Sequence, residues 1–476
     1  MIRLETLRQF FIVSGLTICS ISDGFIFGQM SGMVNALIGK EDGIALSDND
    51  VSLIASLINV TCIFGFGMVA VLGEKIGRRH TIAILTVPVL ISYIMVYFGK
   101  EKTTFFISRI IVGVSYGGVL LLITVAMAEY TNPNNRAICV NYISSIGPSI
   151  GTMLGHVLST LLHWRTVALI GLIPTGLSAI LPLFWIESPS WLATRGRFEE
   201  CKEAFISIRG TSQEAEAELQ LLIDTERKSQ SEVRASGKNF SKTMALLRKA
   251  LKQKYFWKIY SLAIIINIYR IAAGKLLFST LAITMLQEIT GTSNILLSTV
   301  IVDGFIILGN ILSFFALSKM KMRPLMFSLG LVANTMLLIL SACLYFIPKT
   351  NAYYSWINVC LLAFYFILAY TGPYAVIDII ISEIFPLDLK LFFMLFASFL
   401  IASLSFLSIY IAPIMFATIG YSGVFFLNAT ISFICLLYLW FYLPETKGRT
   451  LQEIELFFKK GKFCDLQSNE QATGLL

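Results

Sequence analysis

Charged side chains sit inside long apolar stretches of this 476-residue chain, among them Asp23, Arg270, Lys275, Asp303 and Asp378. A charge held in hydrocarbon costs at least a few kcal/mol unless it is paired, hydrated or able to snorkel, so these residues are read as functional. Arg270 and Lys275 share one apolar run with Asn267, Tyr269 and Gly274. Arg270 and Gly274 are one helical turn apart, so they are expected on one inward face, with Asp378 first and Asp303 second as the acid that neutralises Arg270. Lys275 is expected to snorkel towards the headgroups. The chemistry implied is charge pairing and binding. The three histidines have no metal-ligand spacing and the eight cysteines are scattered singly, Cys201 and Cys464 on the inner side. No metal, cofactor, structural disulfide or enzymatic domain is expected.

The elements that must hold these residues are membrane spans. The chain is 56% hydrophobic with mean hydropathy +0.75 and only 14% charged residues. Apolar runs long enough to cross about 30 Å of hydrocarbon recur twelve times. They cover about 9–36, 51–72, 81–99, 103–130, 137–162, 164–185, 256–288, 294–317, 325–347, 353–384, 391–418 and 421–443. An all-α membrane protein follows, with a six-span half at 1–185, a charged linker at 186–255, a second half at 256–443 and a tail at 444–476. With both termini cytoplasmic, only Lys40, Lys100, Lys102, Arg165 and Lys349 fall on the outer side, as the positive-inside rule requires. The net charge of +8 therefore reflects topology, not nucleic-acid binding. The first apolar run is too long for a cleaved leader and contains Asp23.

Short motifs cluster at the ends of the spans. Glu187-Ser-Pro-Ser-Trp-Leu192 closes the first half, and Pro444-Glu-Thr-Lys-Gly-Arg-Thr-Leu-Gln-Glu-Ile-Glu455 closes the second, with Glu445 in the place of Glu187. Gly73-Glu-Lys-Ile-Gly-Arg-Arg79 joins spans two and three, and Ser318-Lys-Met-Lys-Met-Arg-Pro324 is its worn copy in the second half. Span four runs from Arg109 through Gly113 and Gly117 to Glu129, ahead of Arg136; span ten ends in Glu383-Ile-Phe-Pro386, ahead of Lys390. Together these motifs resemble the sugar porters of the major facilitator superfamily, most like the facilitated trehalose and glucose transporters. The resemblance implies two six-helix halves that alternate access to a central site, with a small helical cluster between them. It also implies a cytoplasmic gate of ion pairs: Glu74, Arg78, Arg79, Glu129, Arg136 and Glu187 on one half, and Arg323, Glu383, Lys390, Glu445 and Arg449 on the other.

The residues that would line a sugar site depart from the family. Phe27, Gly28 and Gly32 match its first-span segment, but Met30 stands where proton-coupled members carry an aspartate, and Asp23 is the acid nearest on that face. Ser144 takes the place of a sugar-binding glutamine in span five, where Asn141, Ser145 and Thr152 keep a polar stripe. Arg270-Ile-Ala-Ala-Gly-Lys-Leu276 replaces Q-Q-x-S-G-I-N in span seven, and Asp378 replaces a tryptophan in span ten. Gln29, Asn141, Ser144, Ser145, Arg270, Gly274, Asp303 and Asp378 are the candidate substrate residues. The reading is facilitative transport of a sugar such as trehalose or a hexose through the plasma membrane, with the lipid bilayer and a small-molecule substrate as partners and no obligatory protein partner. A non-transporting sugar sensor and a carrier of an organic ion are the alternatives.

Overall fold

A computed structural model describes residues 4–44, 46–236, 253–351, 353–385, 390–449 and 451–460. Pro386, Cys464 and the rest of the tail beyond 460, and the linker stretch 237–252, lie outside the described residues. Membrane-length helices dominate because their apolar runs leave the backbone no partner in lipid but itself. The first four spans are α1 (Leu4–Ile38), α2 (Asp48–Ile76), α3 (Arg78–Phe98) and α4 (Lys102–Tyr130). Span five is α5 (Pro133–Asn141), a π turn at Tyr142–Ile146 and α6 (Gly147–Leu161); span six is α7 (Trp164–Ile180). The linker forms α8 (Pro189–Thr194), α9 (Phe198–Arg209) and α10 (Gln213–Ser236). Span seven is α11 (Lys254–Ala272) and α12 (Lys275–Thr290), followed by α13 (Leu296–Lys319) and α14 (Met322–Phe346). Span ten is α15 (Tyr354–Ala369), a second π turn at Tyr370–Tyr374 and α16 (Ala375–Glu383). Spans eleven and twelve run together as α17 (Lys390–Tyr442), which turns at Gly420 with φ 69°, and α18 (Leu451–Lys460) lies beyond.

Among the described residues, ten helical stretches are long and apolar enough to span a bilayer, with span seven and span ten each counted as one stretch. The turn at Gly420 divides one of them into two, and span five, cut by its π turn, completes twelve. The fold is the twelve-helix, two-half major facilitator fold.

Close approach within the first half rests on glycines, as expected for small residues four apart. α1 carries Gly24, Gly28 and Gly32; α6 carries Gly147, Gly151 and Gly155. A methyl group on Gly151 would lie 1.9 Å from the carbonyl oxygen of Ile21, and one on Gly28 would lie 2.4 Å from that of Thr152. The two spans therefore meet backbone to backbone. The linker helices bury their own apolar face, with Trp191, Leu192, Cys201, Phe205, Leu219 and Ile223 in one small core.

Contacts divide the molecule into two compact units, and the division departs from the sequence boundary. One unit takes the described residues through 236 together with Leu276–Ile307 and Ser405–Ile414; the other takes 253–275, Leu308–Leu404 and 415–460. Parts of spans seven, eight and eleven thus belong by contact with the first six. For spans seven and eight, hydrogen bonds to His156, Ser31 and Asn35 supply the reason.

Candidate functional site

At the basic ends of the spans, two carboxylates do one job in two places. Glu187 accepts from the backbone N–H of Arg78 at 2.9 Å, of Arg79 at 3.5 Å and of Ser188 at 3.0 Å. Glu445 accepts from Met322 N–H at 3.1 Å, Arg323 N–H at 3.0 Å and Lys447 N–H at 3.1 Å. Each acid caps the start of the third span of its half, where unsatisfied N–H groups and the helix dipole favour an anion. Charge-assisted bonds of this kind are worth about 2 kcal/mol each. Gly77 makes the first cap sterically accessible: its φ is 91°, and a methyl group there would sit 2.1 Å from the Glu187 carboxylate.

The arginines follow the same repeat. Arg79 donates to the carbonyl of Trp185 and lies 3.8 Å from Glu187, while Arg323 donates to the carbonyl of Trp440 at 2.7 Å. Arg78 grips Glu129 through Nη2 at 2.8 Å and Nε at 3.1 Å. In the second half Met322 occupies Arg78's place, so this pair has no copy there. Arg449 lies 3.8 Å from Glu453 of α18, and Glu383 is half-buried. Glu74 and Arg136 are exposed and make no ion pair among the described residues; Glu74 contributes its carbonyl to the Trp191 indole at 2.8 Å. The side chain of Lys390 lies outside the described residues. A cleft of about 500 Å³ beside Arg79, Trp185, Glu187 and Arg197 belongs to this basic end, not to the span interior.

Midway along the spans of the second unit, Arg270 donates to Asp378 at 2.8 Å, with the two side chains 29% and 44% exposed. Asp378 is thus the partner the sequence places first. Asp303, placed second, is elsewhere. Two further expectations need correction. Span seven is not one continuous helix: it breaks at Gly274, with φ 76°, so Arg270 and Gly274 do not share a regular helical face. Two tyrosines of span ten take up the broken backbone. Tyr365 donates to the Ala273 carbonyl at 2.6 Å, and the Lys275 N–H donates to the Tyr374 hydroxyl at 2.9 Å. Lys275 does not snorkel either. Its ammonium lies 5.0 Å from the ring centroid of Tyr370 and 5.5 Å from that of Tyr374, where the ring faces replace part of its hydration.

In the first unit the polar residues are deeply buried. Gln29 is 1% exposed, and neither its amide nitrogen nor its oxygen has a hydrogen-bond partner among the described residues. Met30 faces Arg109, whose Nη1 lies 3.7 Å from the thioether sulfur; Nε and Nη2 of Arg109 have no partner among the described residues. Asp23 is 4% exposed with Oδ2 likewise unmatched. The span-five stripe is more self-contained. Ser144 is exposed and its hydroxyl donates to Val140 and Asn141 carbonyls of its own helix; Ser145 donates to the Asn141 side chain at 3.4 Å.

Asp303 pairs instead with His156, a residue set aside in the sequence because histidines there have no metal spacing. The imidazole Nδ1 lies 2.9 Å from Asp303 Oδ2, and Nε2 lies 3.0 Å from the Ser279 carbonyl oxygen, with the side chains of His156 and Asp303 0% and 3% exposed. The signal available was the histidine's place in span five, one residue beyond Gly155 on the glycine stripe. Nearby, Ser31 of α1 accepts from the Ile283 N–H at 3.0 Å, beside the kink at Leu281, and Thr284 donates to Asn35 at 3.2 Å. These bonds fasten the far parts of spans seven and eight to spans one and five.

Comparison with known proteins agrees with this architecture. The family described as Sugar (and other) transporter matches residues 11–458. The chain is 25% identical to "Sugar transporter ERD6-like 6" of Arabidopsis thaliana over 92% of this chain and 88% of the relative. It is 24% identical to "Major myo-inositol transporter IolT" of Bacillus subtilis (strain 168) over 95% of each chain. Among solved structures, an inward open conformation of the xylose transporter XylE from E. coli superposes with TM-score 0.74 at 18% identity, covering 94% of this chain and 99% of the other. The structure described as the proton:xylose symporter XylE bound to 6-bromo-6-deoxy-D-glucose gives TM-score 0.69 at 20% identity, covering 95% and 100%.

Proposed function

The chain belongs to the sugar (and other) transporter family, and on that premise we propose that it moves a small neutral sugar, such as trehalose or a hexose, by facilitated diffusion. The observation that carries the neutral substrate is the Arg270–Asp378 pair at 2.8 Å. A cation already matched to an internal acid does not call for a substrate anion, which argues against an organic-ion carrier. Hydroxyl-rich ligands suit the remaining groups: Gln29, with its amide open at both ends, and the Asn141–Ser145 stripe.

Uniport, not symport, is favoured by the Met30–Arg109 contact. A thioether neither takes up nor releases a proton, so the position that pairs with Arg109 has no coupling acid. Both termini are taken as cytoplasmic from the basic loops, and the membrane is taken as the plasma membrane. There the capped and paired residues Arg78, Arg79, Glu129, Glu187, Arg323, Glu445 and Arg449, with Glu74, Arg136, Glu383 and Lys390, act as the gate. A few kcal/mol of pairing is enough to bias a two-state equilibrium.

Counterflow in proteoliposomes tests the assignment. Vesicles preloaded with trehalose, D-glucose or myo-inositol are expected to take up the same labelled compound, and vesicles loaded with succinate are not. Accumulation of labelled succinate alone would replace the neutral-sugar reading, and absence of flux for every compound would favour the sensor.

A further inference from the structure

Each ring nitrogen of His156 has an oxygen at hydrogen-bond distance. A carbonyl oxygen only accepts, so the contact from His156 Nε2 to the Ser279 carbonyl at 3.0 Å requires a proton on Nε2. A neutral imidazole carries one N–H. Its Nδ1 then faces Asp303 Oδ2 at 2.9 Å in one of two ways. Either the imidazole is charged and donates to a carboxylate, or it is neutral and accepts from a protonated carboxyl. Both arrangements hold one shared proton in the Nδ1–Oδ2 bond. Remove it, and either the Ser279 bond is lost or a lone pair is turned towards a carboxylate.

The site joins three spans: His156 on α6, Ser279 on α12 and Asp303 on α13. All three residues lie towards the ends of their spans opposite the basic loops. The neighbouring bonds from Ile283 to Ser31 and from Thr284 to Asn35 tie the same stretch of α12 to α1. Asp303 is the ionisable group that acts on His156. Asp23 on α1, Arg165 on α7, and Lys275 and Glu288 on α12 are the other charged groups along the membrane-spanning and outer parts of these elements. The Phe278 ring closes the edge of the imidazole at 6.0 Å, and burial of both side chains keeps bulk water from competing for the proton.

The geometry points to a single-proton latch on the outer side of the transporter, in which one proton shared by His156 and Asp303 holds the outer parts of spans seven and eight against spans one and five. This rests on the alternating-access reading above. When the outer side opens, the pair separates, and a lone histidine with a pKa near about 6.5 releases the proton at neutral external pH. On closing, the pair takes one proton back from the same side. External acid therefore favours the closed outer side, and no proton is carried across.

The outer loops hold a second histidine, so a control is needed. His163 lies 3.4 Å from Asp42, which Arg165 binds at 2.7 Å. That arginine holds the Asp42 carboxyl below its ordinary range. The stabilisation from Asp42 is present at neutral pH and is lost only as pH falls through its lowered pKa. It therefore opposes the trend expected of the latch.

The test uses the full chain in proteoliposomes with Ser31→Cys, a buried position in the seal, and a membrane-impermeant maleimide added outside. Rates are divided by those of the denatured chain at each pH to remove thiolate chemistry. The labelling rate is expected to rise at least about fivefold between about pH 5.5 and about pH 8. Adding Asp303→Asn, whose amide donates to Nδ1 without a titrating proton, should leave labelling slow at every pH; adding His156→Ala should leave it fast at every pH. His163→Gln should keep the wild-type slope. A slope that survives both Asp303→Asn and His156→Ala, or no slope in the parent while His156→Ala changes nothing, would overturn the latch. An introduced thiol left unlabelled under all conditions, His156→Ala included, would overturn alternating access as well as the latch.

Discussion

At the scale of single residues, the ion pairs within the spans differ in how far solvent reaches them, with His156 and Asp303 sealed and Arg270 and Asp378 open. Arg270 and Asp378 are partly exposed, at 29% and 44%. Their pairing is therefore worth nearer the ~1 kcal/mol of a solvent-reached pair than the larger value of a sealed one. Arg270→Gln leaves Asp378 without its partner, and Asp378→Asn does the converse. Each single change is expected to lower the thermal midpoint of the purified protein, with the double change recovering part of the loss. Strictly additive midpoints would show that the pair has no coupling energy. Lys275 adds to this setting, since Asp378 also lies within its electrostatic reach. Its ammonium over two tyrosine rings was not legible in sequence, because the break at Gly274 turns it away from the face that helical periodicity assigns.

At the scale of elements, the same glycine residue type plays two separate parts. Gly274 and Gly77 supply backbone angles, with φ 76° and 91°. Gly151 and Gly28 supply absence of bulk where α1 and α6 meet. Gly151→Ala puts a methyl group 1.9 Å from the Ile21 carbonyl oxygen, so the spans must move apart. Overpacking of this kind costs about 1–3 kcal/mol. A methyl group on Gly67 meets nothing within 4 Å, which makes Gly67→Ala the matched control. Thermal melts should show a clear loss for Gly151→Ala and no change beyond ~0.5 kcal/mol for Gly67→Ala. Equal losses would mean that the α1–α6 contact carries no special weight. The small-residue spacing was readable from the chain alone. Which helices it joins was not, because spacing names one face and leaves its partner open.

At the scale of the whole molecule, the sequence was most informative where the two halves repeat each other. The correspondence of Glu187 with Glu445 is visible as text, and the structure makes both of them caps on a helix start. Where the halves differ, pattern reading failed: Asp303 has no counterpart motif, and its partner His156 is 147 residues away. The fold was legible through long apolar runs, which hydrocarbon thickness dictates. The site was legible in part: the Arg270–Asp378 pair was read from the charges alone, but the His156–Asp303 pair was not, because buried pairs depend on which spans touch. This asymmetry bears on energy coupling. Met30 against Arg109 leaves no acid at the position where coupled relatives are expected to hold one, and the proposed outer latch exchanges its proton with one side only. Net uptake driven by a sugar gradient should therefore proceed equally with and without a protonophore, while external acidification slows it. Asp23 is the remaining buried acid of α1, with one carboxylate oxygen unmatched among the described residues. If a protonophore abolished accumulation of labelled sugar against its gradient, and Asp23→Asn removed that accumulation while leaving counterflow intact, Asp23 would be the coupling acid and facilitated diffusion would be the wrong mechanism.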